Sequence, residues 1–396
     1  MKIKTLIFAV ILFPLLSLYP QILTDETGDL KATRDVPKKV DFSQKMLQQL
    51  KVPKGFTVNV FAKGLKHPRM MALAPDGTVY VTDPKEDEVI ALIDKNNDGV
   101  AEEKKAVLTD LENVHGITIH EGRMYLCAPR ILWEAEMKSD GTILKPRELL
   151  TDLPEGGRHE NRTLAFGPDG FLYISIGSSC NACKEKNPEH AAIIRIKPDG
   201  SARMTYARGL RNTIGFGWHP ETKDMWGMDN GSDWRGNDAP PEELNRLVEG
   251  GNYGWPYCYG DGKADPDMDN PDNMTKEEYC KKTIPMAMGY TPHTAPIAMV
   301  FYDGGMFPKE YKNDAFSAMH GSWNKKPPAG YEVIRIHFEN GKPVKFEQFL
   351  KGFLFNNGKS QFGRPAGLCV AKDGSLLVSD DNNGVIYRVS YGSKGR

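Results

Sequence analysis

Six times along the chain a polar residue opens a short apolar run, a turn follows, and a second apolar run closes the unit. The openings fall at Arg69, His115, Asn161, Arg211, His293 and Arg364. Second runs close most of them, at Val79 to Asp83, Met124 to Cys127, Leu172 to Gly177 and Leu376 to Asp380. Pro75-Asp-Gly77, Pro168-Asp-Gly170 and Lys372-Asp-Gly374 stand between paired runs as hairpin signals, because glycine accepts the positive φ such turns need. A strand–turn–strand unit repeated in this way is the mark of a β-propeller. Thr57 to Phe61 near the start and Gly384 to Ser390 at the end also read as strands. The pattern predicts an all-β, six-bladed β-propeller, closed by pairing of its N- and C-terminal strands so that no sheet edge is left open.

The entry positions 69, 115, 159 and 211 are spaced as successive blades of roughly 40–50 residues would be. The steps from 211 to 293 and from 293 to 364 are longer, and predict loop insertions in the later blades. One spans 257–290, acidic and bracketed by Cys258 and Cys280; the other surrounds Gly321-Ser-Trp-Asn-Lys-Lys-Pro-Pro328. The 39 glycines and 27 prolines suit such a turn-rich fold. A formal net charge of −1 gives no general electrostatic reason to bind nucleic acid or anionic lipid.

Met1-Lys-Ile-Lys4 followed by the apolar stretch Leu6 to Leu18 reads as an export signal over 1–21, too short for a spanning helix. The expected organisation is a flexible leader over 22–49, one propeller domain over 50–392 and a tail over 393–396, with no integral membrane domain. The expected location is periplasmic or secreted. The cysteines agree with an oxidising compartment. Cys180-Asn-Ala-Cys183 lacks a second ligand pair for zinc, and Lys184 stands where a haem attachment needs histidine. Two local disulfides, Cys180–Cys183 and Cys258–Cys280, are expected, with Cys127 and Cys369 as small core residues.

If the first strand of each unit lines a central channel, the six entry residues converge on one mouth. Gly156-Gly-Arg-His-Glu-Asn-Arg162 puts His159 there, and a histidine is a natural general base near neutral pH. Arg211 and Asn212 are an amide and cation pair suited to a carboxylate or a developing oxyanion. Lys325 and Arg364 add cations, so a polyanionic small ligand is expected. The oxygen-rich stretch from Met228 to Asn245 suits Ca²⁺. Asp94-Lys-Asn-Asn-Asp-Gly99 begins like an EF-hand loop, but Lys105 replaces the closing glutamate, and a hairpin turn is expected. His120, His190, His219 and His337 have no companions and read as structural.

Taken in order, His159 before Leu-Ala-Phe-Gly-Pro-Asp-Gly, Gly209-Leu-Arg-Asn212, Pro240-Pro-Glu-Glu-Leu-Asn245, Gly251-Asn-Tyr-Gly-Trp-Pro256, His320-Gly-Ser-Trp-Asn324 and Gly363-Arg-Pro365 resemble the pyrroloquinoline quinone (PQQ)-dependent glucose/sorbosone dehydrogenase family. The resemblance runs from about residue 50 to 392 and implies a six-bladed propeller holding PQQ and Ca²⁺ at the channel mouth. It implies His159 as the base acting on a sugar hydroxyl, with Arg211 and Asn212 at the reactive side of the quinone. Lys325, Arg364, His115, His293 and Trp323 are implied as further cofactor contacts. Gly231 and Ser232 are implied as backbone ligands of the cofactor's Ca²⁺, and Glu243 with Tyr253 as a second calcium site. The implied partners are a small sugar and an external electron acceptor, quinone or cytochrome. The chain departs from the glucose-dehydrogenase pattern at Arg158, where an aspartate precedes the base; an inward arginine depresses the histidine pKa. Two other readings stay open: a Ca²⁺-dependent sugar-lactone hydrolase, which needs three or more inward acidic ligands, and a non-catalytic propeller that binds glycan or protein.

Overall fold

A computed structural model describes residues 34–155 and 157–392. The expected export signal, the leader up to residue 33 and the tail lie outside them. The described chain is all-β, with two short helices, Gln44–Leu47 and Lys276–Cys280. Six sheets of four or five strands follow one another along the sequence. Their first strands are Met71–Leu73, Gly116–His120, Leu164–Phe166, Gly215–Trp218, Pro296–Phe301 and Pro365–Val370. The expected second runs are the second strands Val79–Asp83, Arg123–Cys127, Leu172–Ile176 and Leu376–Asp380.

The hairpin chemistry is local. At Asp76-Gly77 the aspartate side chain accepts the Thr78 N–H, and Gly77 takes φ +102°. Asp94 likewise accepts from the N–H groups of Asp98 and Gly99, making the expected turn between Glu88–Ile93 and Glu103–Leu108. Most second strands are buried at every residue, as in Val79–Asp83, Leu172–Ile176 and Leu376–Asp380. Burial on both faces explains why these runs are continuously apolar rather than alternating.

The first long strand, Phe56–Lys63, pairs antiparallel with the last, Val385–Tyr391, from Phe56 opposite Tyr391 to Lys63 opposite Val385. Residues of all six first strands line one cavity of about 530 Å³. Residues 34–49 differ from the expected flexible leader. Lys38–Lys39 pairs with Ser360–Gln361, and Leu47 is buried in the main apolar cluster. Burying one leucine contributes roughly 1.5–3 kcal/mol, which ties this segment down.

Both expected disulfides are present, and Cys127 and Cys369 are buried and free. The 257–290 insertion is closed by Cys258–Cys280 and carries the helix Lys276–Cys280, opened by a Thr275/Glu278 capping box. It then returns as Met288–Tyr290, the outer strand of the fourth sheet. The second insertion links two strands of the fifth sheet.

Candidate active site

The entry residues meet because each first strand begins beside the end of its own second strand. Three of those ends carry an aspartate that fixes the incoming backbone. Asp83 accepts the His67 N–H, Asp229 accepts the N–H groups of Arg211 and Asn212, and Asp380 accepts that of Arg364. A cavity of about 600 Å³ opens there, lined by Arg69, His159, Asn161, Arg211, Asn212, His293, Trp323 and Arg364 among others. The structure thus gathers most of the expected site residues.

His159 is held in one tautomer. Its Nδ1 lies 3.1 Å from the Ser178 carbonyl and 2.9 Å from Ser178 Oγ. A carbonyl only accepts, so Nδ1 carries the hydrogen and Nε2 is left as the basic atom. Burial, and then the charges of Arg211 and Arg158, push the His159 pKa down to about 2. The Arg158 effect has the expected direction but follows burial and Arg211 in size. Gly177 makes this placement possible. A Cβ there would lie 2.5 Å from His159 Cβ and 2.7 Å from Asn212 Oδ1. Gly177→Ala is therefore expected to shift the base and lower turnover by about 100-fold, with a lower melting temperature. Steady-state kinetics beside a thermal melt checks this, and unchanged turnover contradicts the placement.

Arg211 is buried and engaged. Its Nε donates to Asn181 O at 2.9 Å, Nη1 to Asn230 O at 3.3 Å, and Nη2 to Asn181 Oδ1 and Asp233 Oδ2 at 3.0 and 3.1 Å. Four of five N–H donors are used among the described residues, leaving one at Nη1. The Asn212 side-chain amide has no hydrogen bond among the described residues and borders the cavity. Arg364 donates to the carbonyls of His320 and Gly321 and has no carboxylate partner among the described residues. His293 donates Nε2–H to Gly236 O at 2.8 Å. Trp323 packs edge-to-face on Trp234.

Two expected contacts stand behind the wall. His115 is buried with Nδ1 on Arg162 O and Nε2 facing Arg69, which it buttresses. Lys325 donates to Asn237 O at 2.7 Å, next to the lining residue Asn324. Sequence reasoning placed Arg69 at the mouth but gave no role to Ser178, Asn181, Asp233 or Glu242 and missed Asp381, which pairs with Arg69 and accepts from His320 Nε2 at 2.9 Å.

A smaller cavity of about 20 Å³, room for one ion or water, is lined by Gly231, Ser232, Glu243 and Tyr253 with Asp229. Glu243 accepts from Gly260 N and Asn245 Nδ2 and has no cation partner among the described residues. Burial pushes its pKa up to about 8, and those of Glu242 and Asp229 to about 7 and 6. Asn245 Oδ1 beside it is buried without a partner. Uncompensated buried carboxylates and an orphaned amide oxygen fit a hard cation. The large cavity fits PQQ equally: Arg364 makes no ion pair among the described residues, with Asp381 and Asp380 acting on it only at longer range, and Asn212 offers an unused amide. Among the described residues, groups of three close acidic or sulfur ligands occur at Cys180/Cys183/Glu185, where both cysteines are disulfide-bonded, and at Asp94/Asp98/Glu102. Neither lines the large cavity, whose own acidic residues Glu160, Asp233, Glu242 and Asp381 form no such close group among the described residues.

The chain is similar to an uncharacterized protein of Borreliella burgdorferi, 28% identical over 365 residues that cover 88% of this chain and 93% of the relative. It is 25% identical to the PQQ-dependent pyranose dehydrogenase of Coprinopsis cinerea, covering 86% of this chain but 54% of that protein, so it spans about half of that relative. The holo PQQ domain of the Coprinopsis enzyme superposes with a TM-score of 0.73 at 21% identity, covering 90% of this chain and all of the domain. A calcium structure of a Trichoderma reesei family AA12 enzyme gives 0.76 at 20% identity, covering 92% and 100%. These likenesses agree on the fold, and the TrAA12-like family model matches residues 50–392: the chain belongs to that family.

Proposed function

We propose that this protein is an exported, PQQ- and calcium-dependent dehydrogenase that oxidises an aldose or sorbosone-like sugar and passes the electrons to an external quinone or cytochrome. The six sheets are then blades of one propeller over 50–392, and the Phe56–Lys63 pairing with Val385–Tyr391 closes its ring. The observation that carries the reading is His159, whose bare Nε2 borders a cavity that also presents the Asn212 amide and the Arg364 guanidinium. The family, the holo PQQ domain of the Coprinopsis relative and the calcium structure of the Trichoderma relative support it. Two disulfides suit export, and no described helix is long and apolar enough to cross a membrane.

When bound, PQQ supplies the two-electron acceptor. His159 Nε2 removes the proton from the sugar hydroxyl. Arg211 offers its remaining Nη1–H, and Asn212 its amide, to an oxygen that gains negative charge. Arg364 holds a cofactor carboxylate, with Trp323 and His293 forming the wall; Lys325 joins them only by giving up Asn237, and His115 acts through Arg69. Gly231 and Ser232 offer backbone oxygens to one calcium ion, and Glu243 with Tyr253 holds a second.

The test is to purify the protein free of cofactor, add Ca²⁺ and PQQ, and follow dye reduction over a panel of aldoses. Quinone-dependent reduction is expected. A protein that takes up no PQQ overturns the reading and leaves the non-catalytic propeller.

A further inference from the structure

The four-residue loop Cys180-Asn181-Ala182-Cys183, closed on itself by a disulfide, contributes no lining residue to the large cavity. It nevertheless touches the supports of His159, Arg211 and Asn324, which do line it. Ser178 Oγ accepts from His159 Nδ1 at 2.9 Å and donates to the Cys180 carbonyl at 2.7 Å. Asn181 takes two of the Arg211 donors, Nε on its carbonyl and Nη2 on Oδ1. The same side chain brackets Asp233, accepting its N–H at 2.8 Å and donating Nδ2–H to its carbonyl at 3.1 Å. Asp233 in turn pairs with Arg211 and accepts from Asn324. On the other side the disulfide packs against Trp255, whose indole N–H donates to Ser232 Oγ at 3.2 Å.

We infer that Asn181, locked by the Cys180–Cys183 disulfide, is a positioning residue that sets the relative placement of His159, Arg211 and the Ser232 turn. The inference rests on the reading of this cavity as a sugar dehydrogenase site. The residue type is specific. Asn181 uses both an acceptor and a donor on a buried side chain, 4% exposed, so neither alanine nor leucine satisfies its partners. A four-residue ring is short enough that its backbone carbonyls cannot move independently of the side chain between them. Loss of the ring lets the Cys180 carbonyl leave Ser178 and the Asn181 carbonyl leave Arg211.

The experiment uses the cofactor-free full chain, labelled with ¹⁵N at histidine and arginine. In the native protein His159 is expected as a single Nδ1–H tautomer that stays neutral down to about pH 4, with a slowly exchanging Arg211 Nε–H. Asn181→Ala keeps the backbone carbonyl on Nε but removes the Oδ1 that accepts from Nη2, so it is expected to speed exchange of the Arg211 Nη2–H at least tenfold, while Cys180→Ala with Cys183→Ala is expected to speed exchange at Nε and give a mixture of His159 tautomers. Asn181→Asp keeps both acceptors for Arg211 and is expected to restore most of the Arg211 protection. In the loaded enzyme Asn181→Ala is expected to lower kcat by about 100-fold, the effect of a small misplacement, with the sugar KM changed less than threefold. Leu377→Ala, buried in a different apolar cluster, is expected to lower the melting temperature and leave both signals native. Native His159 and Arg211 signals in folded Asn181→Ala overturn the inference. If the double cysteine variant does not fold, the two Asn181 variants decide. If the native protein reduces no dye with PQQ, the functional reading fails, while the spectra still test the positioning.

Discussion

His159→Ala is expected to lower kcat of the PQQ- and calcium-loaded protein by about 10²–10⁴-fold, the range for losing a positioned general base, with PQQ affinity within threefold of native. The split follows from the geometry. His159 Nδ1 is committed to Ser178, so the side chain has one chemical atom to offer, Nε2. On the proposed reading, cofactor anchoring falls instead to Arg364 and to the wall around it. The pH profile adds a second expectation. With its pKa pushed down to about 2 by burial and by Arg211, His159 is neutral and competent throughout pH 5–8. The acid limb seen for a solvent-exposed histidine near pH 6.5 is then absent from kcat/KM. Sugar-dependent dye reduction, with PQQ binding followed by absorbance, measures both. A variant that keeps native turnover removes His159 from the chemistry, and an acid limb that vanishes in the variant shows that the ring titrates near neutrality.

The repeat was legible because its hairpins and strands are locally encoded. Pro-Asp-Gly turns, and second strands buried on both faces, leave marks within ten residues. His159, Arg211 and Arg364 were legible because each stands one to five residues ahead of a first strand. Their partners were not. Asp381 meets Arg69 across 312 positions, and Asp233 meets Asn324 across 91, so no local spacing records either pair. One regularity was available. The residues that follow four of the six second strands line the cavity as the entry residues do: Pro84 and Lys85, Asn230 after Met225–Asp229, His320 after Ala315–Met319, and Asp381 with Asn382. Read with the same period as the entries, they mark the other half of the mouth. The leader misled for a physical reason. Lys38–Lys39 is polar in sequence, yet its backbone pairs with Ser360–Gln361, and backbone pairing leaves no trace in side-chain composition. Lys325 and His115 were expected as cofactor contacts but stand behind the cavity lining, because which neighbour takes their polar atoms is a matter of packing.

Calcium should convert a pH-sensitive protein into a pH-insensitive one. Glu243 is buried, accepts from Gly260 N and Asn245 Nδ2, and faces no cation among the described residues. Burial raises its pKa to about 8, with Glu242 at about 7. In the unfolded chain both ionise near pH 4.3. Between about pH 4 and 8 these two carboxyls therefore bind more protons in the folded, metal-free protein than in the unfolded chain, and the stability they contribute falls as pH rises through that window. A cation bound only by the folded state reverses the loss. At 100 times its Kd it adds about 2.7 kcal/mol, and it competes with protons, so its benefit grows with pH. Above about pH 7, where the buried histidines are neutral in folded and unfolded chain alike, the chelated protein is expected to melt progressively lower up to pH 8. Added Ca²⁺ is expected to raise the melting temperature by roughly 5–10 °C at pH 8, at about 2–4 °C per kcal/mol, and by much less at pH 5. Glu243→Gln keeps the shape and removes the charge. It is expected to remove the share of the pH dependence that Glu243 carries, leaving that of Glu242 and Asp229, and to lose most of the calcium increment. An equal calcium increment in Glu243→Gln would place the cation elsewhere in the fold, since a neutral amide at this position cannot supply the charge that the buried site otherwise lacks.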